Sequence, residues 1–169
     1  RREFKLSEGD PYNSSHLKYY QKRINRLNIF KSFKITEDEI SEDLKDINIE
    51  VEESQTGTFN VGFSFGTLDG ASFVTGLNEK NFGGTGRSLD FLIQTSDDTN
   101  KFTFNTTDRF FFNDEINLRY GASYEENDYS NSSSYTLDEL SVGSGLSYYF
   151  SRNLYHNIDL TYEIKDYYV

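Results

Sequence analysis

Two kinds of hydrophobic periodicity divide the chain. Within residues 1–53 the helical repeat is Leu17, Tyr20, Ile24 and Leu27, whose spacings of three and four place them on one helix face. Asn13, Ser14 and Ser15 follow Pro11 as candidate N-caps, and Asn28 is a plausible stop. Two alternating runs come next, Phe30–Thr36 and Leu44–Glu53, with Ile47, Ile49 and Val51 on one face. The acidic stretch around Glu37-Asp38-Glu39 is expected to be the solvated turn between them. The unit reads helix, helix, strand, strand, entered partway through its first helix, so its class is α+β.

From Thr56 onward the period changes to two. Phe59, Val61, Phe63 and Phe65 share one face, and Thr58, Asn60, Gly62, Ser64 and Gly66 the other. Similar apolar faces follow: Ala71 to Leu77, Leu89 to Ile93, Ile116 to Tyr124, Leu140 to Phe150 and Leu154 to Ile164, with a weaker run at Lys101–Thr107. The pattern predicts about seven strands joined in order, an all-β antiparallel meander without a further helix. Paired residues in a hairpin must lie on one face of the sheet. A turn at Ser151, Arg152 and Asn153 then sets Phe150 opposite Leu154, Tyr148 opposite His156, Leu146 opposite Ile158, Val142 opposite Tyr162 and Leu140 opposite Ile164. A turn around Leu68 sets Phe63 opposite Phe73, Val61 opposite Thr75 and Phe59 opposite Leu77.

Alternation fits a soluble sandwich, where two apolar faces meet, or a transmembrane barrel, where they meet lipid. Turns at the same end of a meander can be compared. One set follows aromatics: Phe82 before Gly83-Gly84, Phe110-Phe111-Phe112 before Asn113-Asp114, and Tyr148-Tyr149-Phe150 before Ser151. The other is acidic and polar: Asp69-Gly70, Asp97-Asp98-Thr99-Asn100 and the stretch Glu125–Tyr135. An aromatic girdle with short turns at one end and longer polar loops at the other favours the barrel. Asp90, Arg119, Glu139, Asp159, Glu163 and Lys165 on the opposite face suit a watery interior.

Composition narrows the choice. Seventeen Lys and Arg stand against 28 Asp and Glu, a net charge of −11, opposite to the footprint of a nucleic-acid binder, so no nucleic-acid partner is expected. No stretch approaches the roughly 18 apolar residues of a spanning helix, which leaves a barrel open. The absence of Cys excludes disulfides and thiolate metal sites. Arg1 stands in place of Met, which predicts a piece of a longer protein, and seven strands are too few for a wide lumen, so further C-terminal strands are expected. Ser144 and His156 share a face, as a lipid-facing hydrolase pair would. The register sets them four residues apart, about 13 Å, which leaves His156 in an aromatic cluster. Asp97-Asp98 and Gly83-Gly84-Thr85-Gly86 lack the surroundings of calcium or phosphate motifs and read as turns.

The run Val51-Glu52-Glu53-Ser54-Gln55-Thr56-Gly57-Thr58-Phe59-Asn60-Val61-Gly62-Phe63-Ser64-Phe65-Gly66 resembles the BamA family of outer-membrane protein assembly factors. So do Arg1-Arg2-Glu3-Phe4 through Glu8-Gly9, Arg23-Ile24-Asn25-Arg26-Leu27 with Phe30, and Asn81-Phe82-Gly83-Gly84-Thr85-Gly86. The resemblance implies that residues 1–54 are the C-terminal part of the last periplasmic POTRA domain, and 55–169 the N-terminal part of an outer-membrane barrel. It implies a factor without catalytic residues or cofactor that assembles and inserts β-barrel proteins. Its first barrel strand, Gly57, Thr58, Phe59, Asn60, Val61, Gly62, Phe63, Ser64, Phe65 and Gly66, would template nascent client strands at a lateral gate by β-augmentation. Implied partners are outer-membrane lipid, nascent barrel proteins and a BamD-like lipoprotein, the last contacted by Arg1, Lys5 and Glu8 on one side of the first helix. A two-partner-secretion translocation pore and a soluble β-sandwich interaction domain stand as alternatives. Enclosure of Phe59, Phe63, Leu118 and Leu160 in one interior would mark the sandwich.

Overall fold

The structure, a computed structural model, describes residues 6–42, 44–66, 70–112, 116–151 and 154–169. The turn positions Leu68, Asp69, Asn113, Asp114, Arg152 and Asn153 lie outside the described residues. Two compact units divide the chain, Arg1–Thr56 and Gly57–Val169.

The first unit holds helix α1 (Ser14–Leu27) and a hairpin of β1 (Phe30–Ser41) and β2 (Leu44–Glu53). Asn13 caps α1: its backbone is extended and its Oδ1 accepts the Ser15 N–H at 2.9 Å. Asn28 ends it with φ of 52°, the left-handed conformation of a helix stop, its N–H donating to the Asn25 carbonyl. The predicted stripe does bury Leu17 and Ile24, and α1 packs on β1.

Two expectations for this unit need correction. The acidic stretch is strand: β1 continues through it, pairing Glu37 with Ile47, Asp38 with Asp46 and Glu39 with Lys45. A two-stranded ribbon leaves these carboxylates in water and supplies partners, because the Asn48 amide donates to Asp38 at 2.8 Å and the Tyr12 hydroxyl to Glu37 at 2.6 Å. The described part of the expected first helix is also non-helical. Residues 7–10 form a turn closed by the Asp10 N–H on the Ser7 carbonyl and the Ser7 N–H on the Asp10 carboxylate, with Gly9 at φ of 89°.

The second unit is a seven-stranded antiparallel sheet in sequence order: β3 (Gly57–Gly66), β4 (Gly70–Phe82), β5 (Arg87–Ser96), β6 (Thr99–Phe112), β7 (Ile116–Asp128), β8 (Thr136–Ser151) and β9 (Leu154–Tyr168). The arithmetic of the first hairpin holds at Phe63–Phe73, Val61–Thr75 and Phe59–Leu77. That of the last holds at Tyr148–His156, Leu146–Ile158, Val142–Tyr162 and Leu140–Ile164. Phe150 is the exception. An irregularity between Tyr149 and Ser151 pairs Leu154 with Ser151 instead, as a β-bulge does. Nor is the meander free of helix. A single turn, α2 (Ser130–Ser133), sits between β7 and β8, where the Tyr129 carbonyl accepts the N–H groups of Ser132, Ser133 and Ser134.

Register makes each face continuous. Phe59, Leu77, Phe91, Phe104, Ala122, Val142 and Tyr162 form one cross-strand row over all seven strands. A neighbouring row on the other face runs Thr58, Asn78, Asp90, Asn105, Gly121, Gly143 and Thr161. Among the described residues of this unit no second layer covers the apolar face: Phe59, Phe63 and Leu160 are 70%, 81% and 75% exposed, and Leu118 is half-buried. Among the described residues the buried hydrophobic side chains are Leu17 and Ile24, both in the first unit. A soluble sandwich gains about 1.5–3 kcal/mol from each large side chain it buries, and this sheet gains almost none. The enclosed interior that would mark a sandwich is not found among the described residues.

Candidate functional site: the membrane-facing sheet and its first strand

A spanning β-strand requires roughly 9–11 residues at about 45° of tilt. The strands run from 10 residues in β3 and β5 to 16 in β8. No helix among the described residues is long and apolar enough to cross a membrane, so any crossing is made by strands.

Antiparallel order places the turns after β4, β6 and β8 at one end and those after β3, β5 and β7 at the other. Exposed Phe82, Phe111, Phe112 and Phe150 gather at the first end, where Tyr148 stacks on His156 at 5.4 Å between ring centres and Phe150 meets the same imidazole edge-on. The opposite end carries aromatics as well. There β9 brings Tyr167 and Tyr168 beside Leu137 and Thr136, and Tyr135 lies 5.1 Å from Tyr129 and 5.8 Å from Tyr167. On the apolar face at this end Phe65, Tyr124 and Tyr168 are exposed, so aromatics border the sheet at both ends, as in outer-membrane barrels, where the turn comparison had placed one, whereas Tyr167 pairs with Leu137 on the polar face. Only pairing with β8 shows which border Tyr168 joins.

One ion pair sits on the apolar face, at the end of β5 near the Gly83–Gly86 turn. Arg87 Nε donates to Asp108 Oδ2 at 2.8 Å, and the Asp108 side chain is only 10% exposed. Burying a carboxylate beside hydrocarbon requires such a partner. Sequence reading missed it, because Arg87 and Asp108 are 21 positions apart and meet only through the β5–β6 register.

The polar face carries the expected charges, now with partners. Lys101 pairs with Glu125 at 2.6 Å, and Lys165 with Glu139 at 3.0 Å. Arg119 of β7 reaches across β8 to Asp159 of β9 at 2.6 Å, donates to the fully buried Ser147 hydroxyl at 2.8 Å, and also bonds Asn157. Its path crosses Gly145, where a Cβ would lie 2.8 Å from Arg119 Nη2 and against the Asp159 carboxylate. Gly121 has the same role beside β6, since its Cβ would stand 2.6 Å from the Phe104 carbonyl oxygen. These glycines floor an open cavity of about 540 Å³ edged by Lys101, Asn105, Arg119, Asp159 and Thr161.

Gly57 to Gly66 all lie on β3, which among the described residues pairs with β4 alone. Gly62 differs from the floor glycines, because an added Cβ would meet nothing within 4 Å. Glu8 is exposed in the Ser7–Asp10 turn, and Arg1 and Lys5 lie outside the described residues. Among the described residues no group of His, Cys, Asp or Glu is arranged to hold a metal ion. Gly83, Gly84 and Gly86 have positive φ, as a tight turn requires.

The model of the Omp85 superfamily domain matches residues 81–168, just over half of the chain. The outer membrane protein assembly factor BamA of Buchnera aphidicola subsp. Acyrthosiphon pisum is 28% identical over 158 residues, covering 91% of this chain and 24% of that protein. The protein of the same name from Neisseria meningitidis serogroup B is 26% identical over 122 residues, covering 71% of this chain and 15% of that protein. The chain thus spans at most about a quarter of these curated relatives. Among solved structures, the crystal structure of BamA from Haemophilus ducreyi lacking POTRA domains 1-3 superposes with a TM-score of 0.76 at 23% identity, over 100% of this chain and 33% of that one, a likeness of fold.

Proposed function

The chain belongs to the Omp85 superfamily, and from that premise we propose that it is the gate-side part of a factor that assembles and inserts β-barrel proteins into the bacterial outer membrane. It is an outer-membrane chain: its apolar face meets lipid and its polar face meets water. Residues 1–54 are the end of the last periplasmic POTRA domain, and 55–169 the first strands of the barrel. The factor works by positioning, without catalytic residues or a cofactor.

Gly57–Gly66 is the templating strand. The observation that carries this reading is Gly62. Glycine inside a strand weakens its packing, and among the described residues no atom lies within 4 Å of where a Cβ at Gly62 would stand, in contrast to Gly121 and Gly145. A strand loosened in this way, with a row of backbone N–H and C=O groups on the edge away from β4, suits transient pairing with an incoming client strand. Arg1, Lys5 and Glu8 are the contacts offered to a BamD-like lipoprotein.

Photo-crosslinkers at alternate positions of Gly57–Gly66 in the full-length protein test this. Capture of nascent barrel strands in a register that alternates along β3 is expected. Failure to capture them at any of these positions would overturn the templating role and leave a translocation pore, which the charged polar face would also suit.

A further inference from the structure

Helix α1 carries charge of the sign opposite to that of the whole chain. The chain carries a net charge of −11, yet the 14 residues of α1 contain Lys18, Lys22, Arg23 and Arg26 and no acid. Lys18, Lys22 and Arg26 stand at successive spacings of four, so they form one stripe along the helix. All three are exposed, as are Ser15 and Tyr19, the latter at 56%. The helix buries Leu17 and Ile24, which leaves the stripe unpartnered: among the described residues none of the three cations makes an ion pair.

We propose that this stripe docks on anionic phospholipid headgroups of the membrane that holds the sheet. Three observations favour a lipid surface. The stripe joins clustered cations to an exposed tyrosine, the composition of an interfacial helix face. No carboxylate among the described residues pairs with the stripe, so its charge is available to a negative surface. Finally, β2 ends at Glu53 and β3 begins at Gly57, so three residues, a fully extended length of about 10 Å, join the unit bearing the stripe to the first strand of the membrane-spanning sheet. Juxtamembrane cations gain about tenfold or less in partition each at an anionic surface, and three of them gain on the order of a hundredfold.

The proposal goes beyond templating and rests only on the sheet being embedded in lipid. The chain has no cysteine, so a single environment-sensitive dye can be placed at Ser15→Cys, amid the stripe, with Leu160→Cys on the apolar face as a separate control. The full chain is reconstituted in bilayers of phosphatidylcholine alone or with a third phosphatidylglycerol, each with nitroxide-labelled headgroups or tails. The expected result is headgroup quenching at Ser15→Cys only with phosphatidylglycerol, relieved by high salt. It should fall by roughly a hundredfold in docked population in Lys18→Gln/Lys22→Gln/Arg26→Gln, and persist in the charge-keeping Lys18→Arg/Lys22→Arg/Arg26→Lys. Equal quenching in both bilayers, an unchanged triple glutamine variant, or no quenching with phosphatidylglycerol would overturn the proposal, the last pointing to an acidic protein as occupant. Absence of tail quenching at Leu160→Cys would instead overturn the membrane reading, and the docking of α1 with it.

Discussion

Gly62→Ala and Gly121→Ala are the same chemical change on the same polar face, and the structure predicts opposite outcomes. At Gly62 the added Cβ enters open space, so alanine removes the entropic penalty of a strand-interior glycine and should stabilise by about 0.5–1 kcal/mol. At Gly121 the Cβ would stand 2.6 Å from the Phe104 carbonyl oxygen, a backbone atom of the paired strand β6. That atom cannot rotate away as a side chain could. The ladder between β6 and β7 must shift, at a cost of about 1–3 kcal/mol. The two variants should therefore differ by roughly 1.5–4 kcal/mol in urea unfolding of the chain in lipid vesicles, followed by circular dichroism and tyrosine emission. Equal stabilities, or Gly121→Ala as the more stable, would refute the distinction between a floor glycine and a loosening one. In the full-length protein, Gly62→Ala should lower the rate of client assembly while the fold gains stability. An assembly rate that rises with stability would refute a loosening role for Gly62.

Three further outcomes follow from other contacts. Arg119→Ala should destabilise the sheet by about 1–3 kcal/mol, because the fully buried Ser147 hydroxyl loses its partner, whereas Asp159→Asn should leave the unfolding midpoint nearly unchanged, since that ion pair is solvated. Equal losses would place the stabilisation in the ion pair instead. Arg87→Ala should cost about 1–3 kcal/mol by removing a charged hydrogen-bond donor from the nearly buried Asp108 carboxylate, and Arg87→Lys should recover part of it, both read as unfolding midpoints in vesicles. In the first unit, the hydrogen bond to Glu37 holds the Tyr12 phenol above the ordinary tyrosine value near 10. A raised value in the folded state means the stabilisation is fully present at neutral pH and is lost as pH rises through the folded value. The difference in phenolate absorbance between the parent chain and Glu37→Gln should show Tyr12 titrating late in the parent and moving back toward the usual range in the variant.

Much of the candidate site was legible before any coordinates. Period-two alternation named the face of Phe59, Val61 and Phe63, and a short turn at a known position sets every pair beyond it, so the hairpin registers followed by counting. The caps of α1 were legible for the same reason, because Asn13 and Asn28 act on neighbours within three residues. The acidic stretch was misread because charge alone predicts solvent, and a carboxylate on a two-stranded ribbon satisfies that preference as well as one in a loop.

By itself, then, the sequence determined the meander, its order and the chemistry of its two faces, since each depends on interactions between residues close along the chain. Tertiary structure decided what depends on stacking several strands side by side. It joined Arg87 to Asp108, carried Arg119 over Gly145 to Asp159, and assigned Tyr168 to a second aromatic border. It also separated the glycine with empty space above it from those pressed against a neighbouring strand. Such contacts bridge residues 20 to 40 positions apart, where the small offset of each bulge and turn accumulates, and only the assembled register shows which side chains meet.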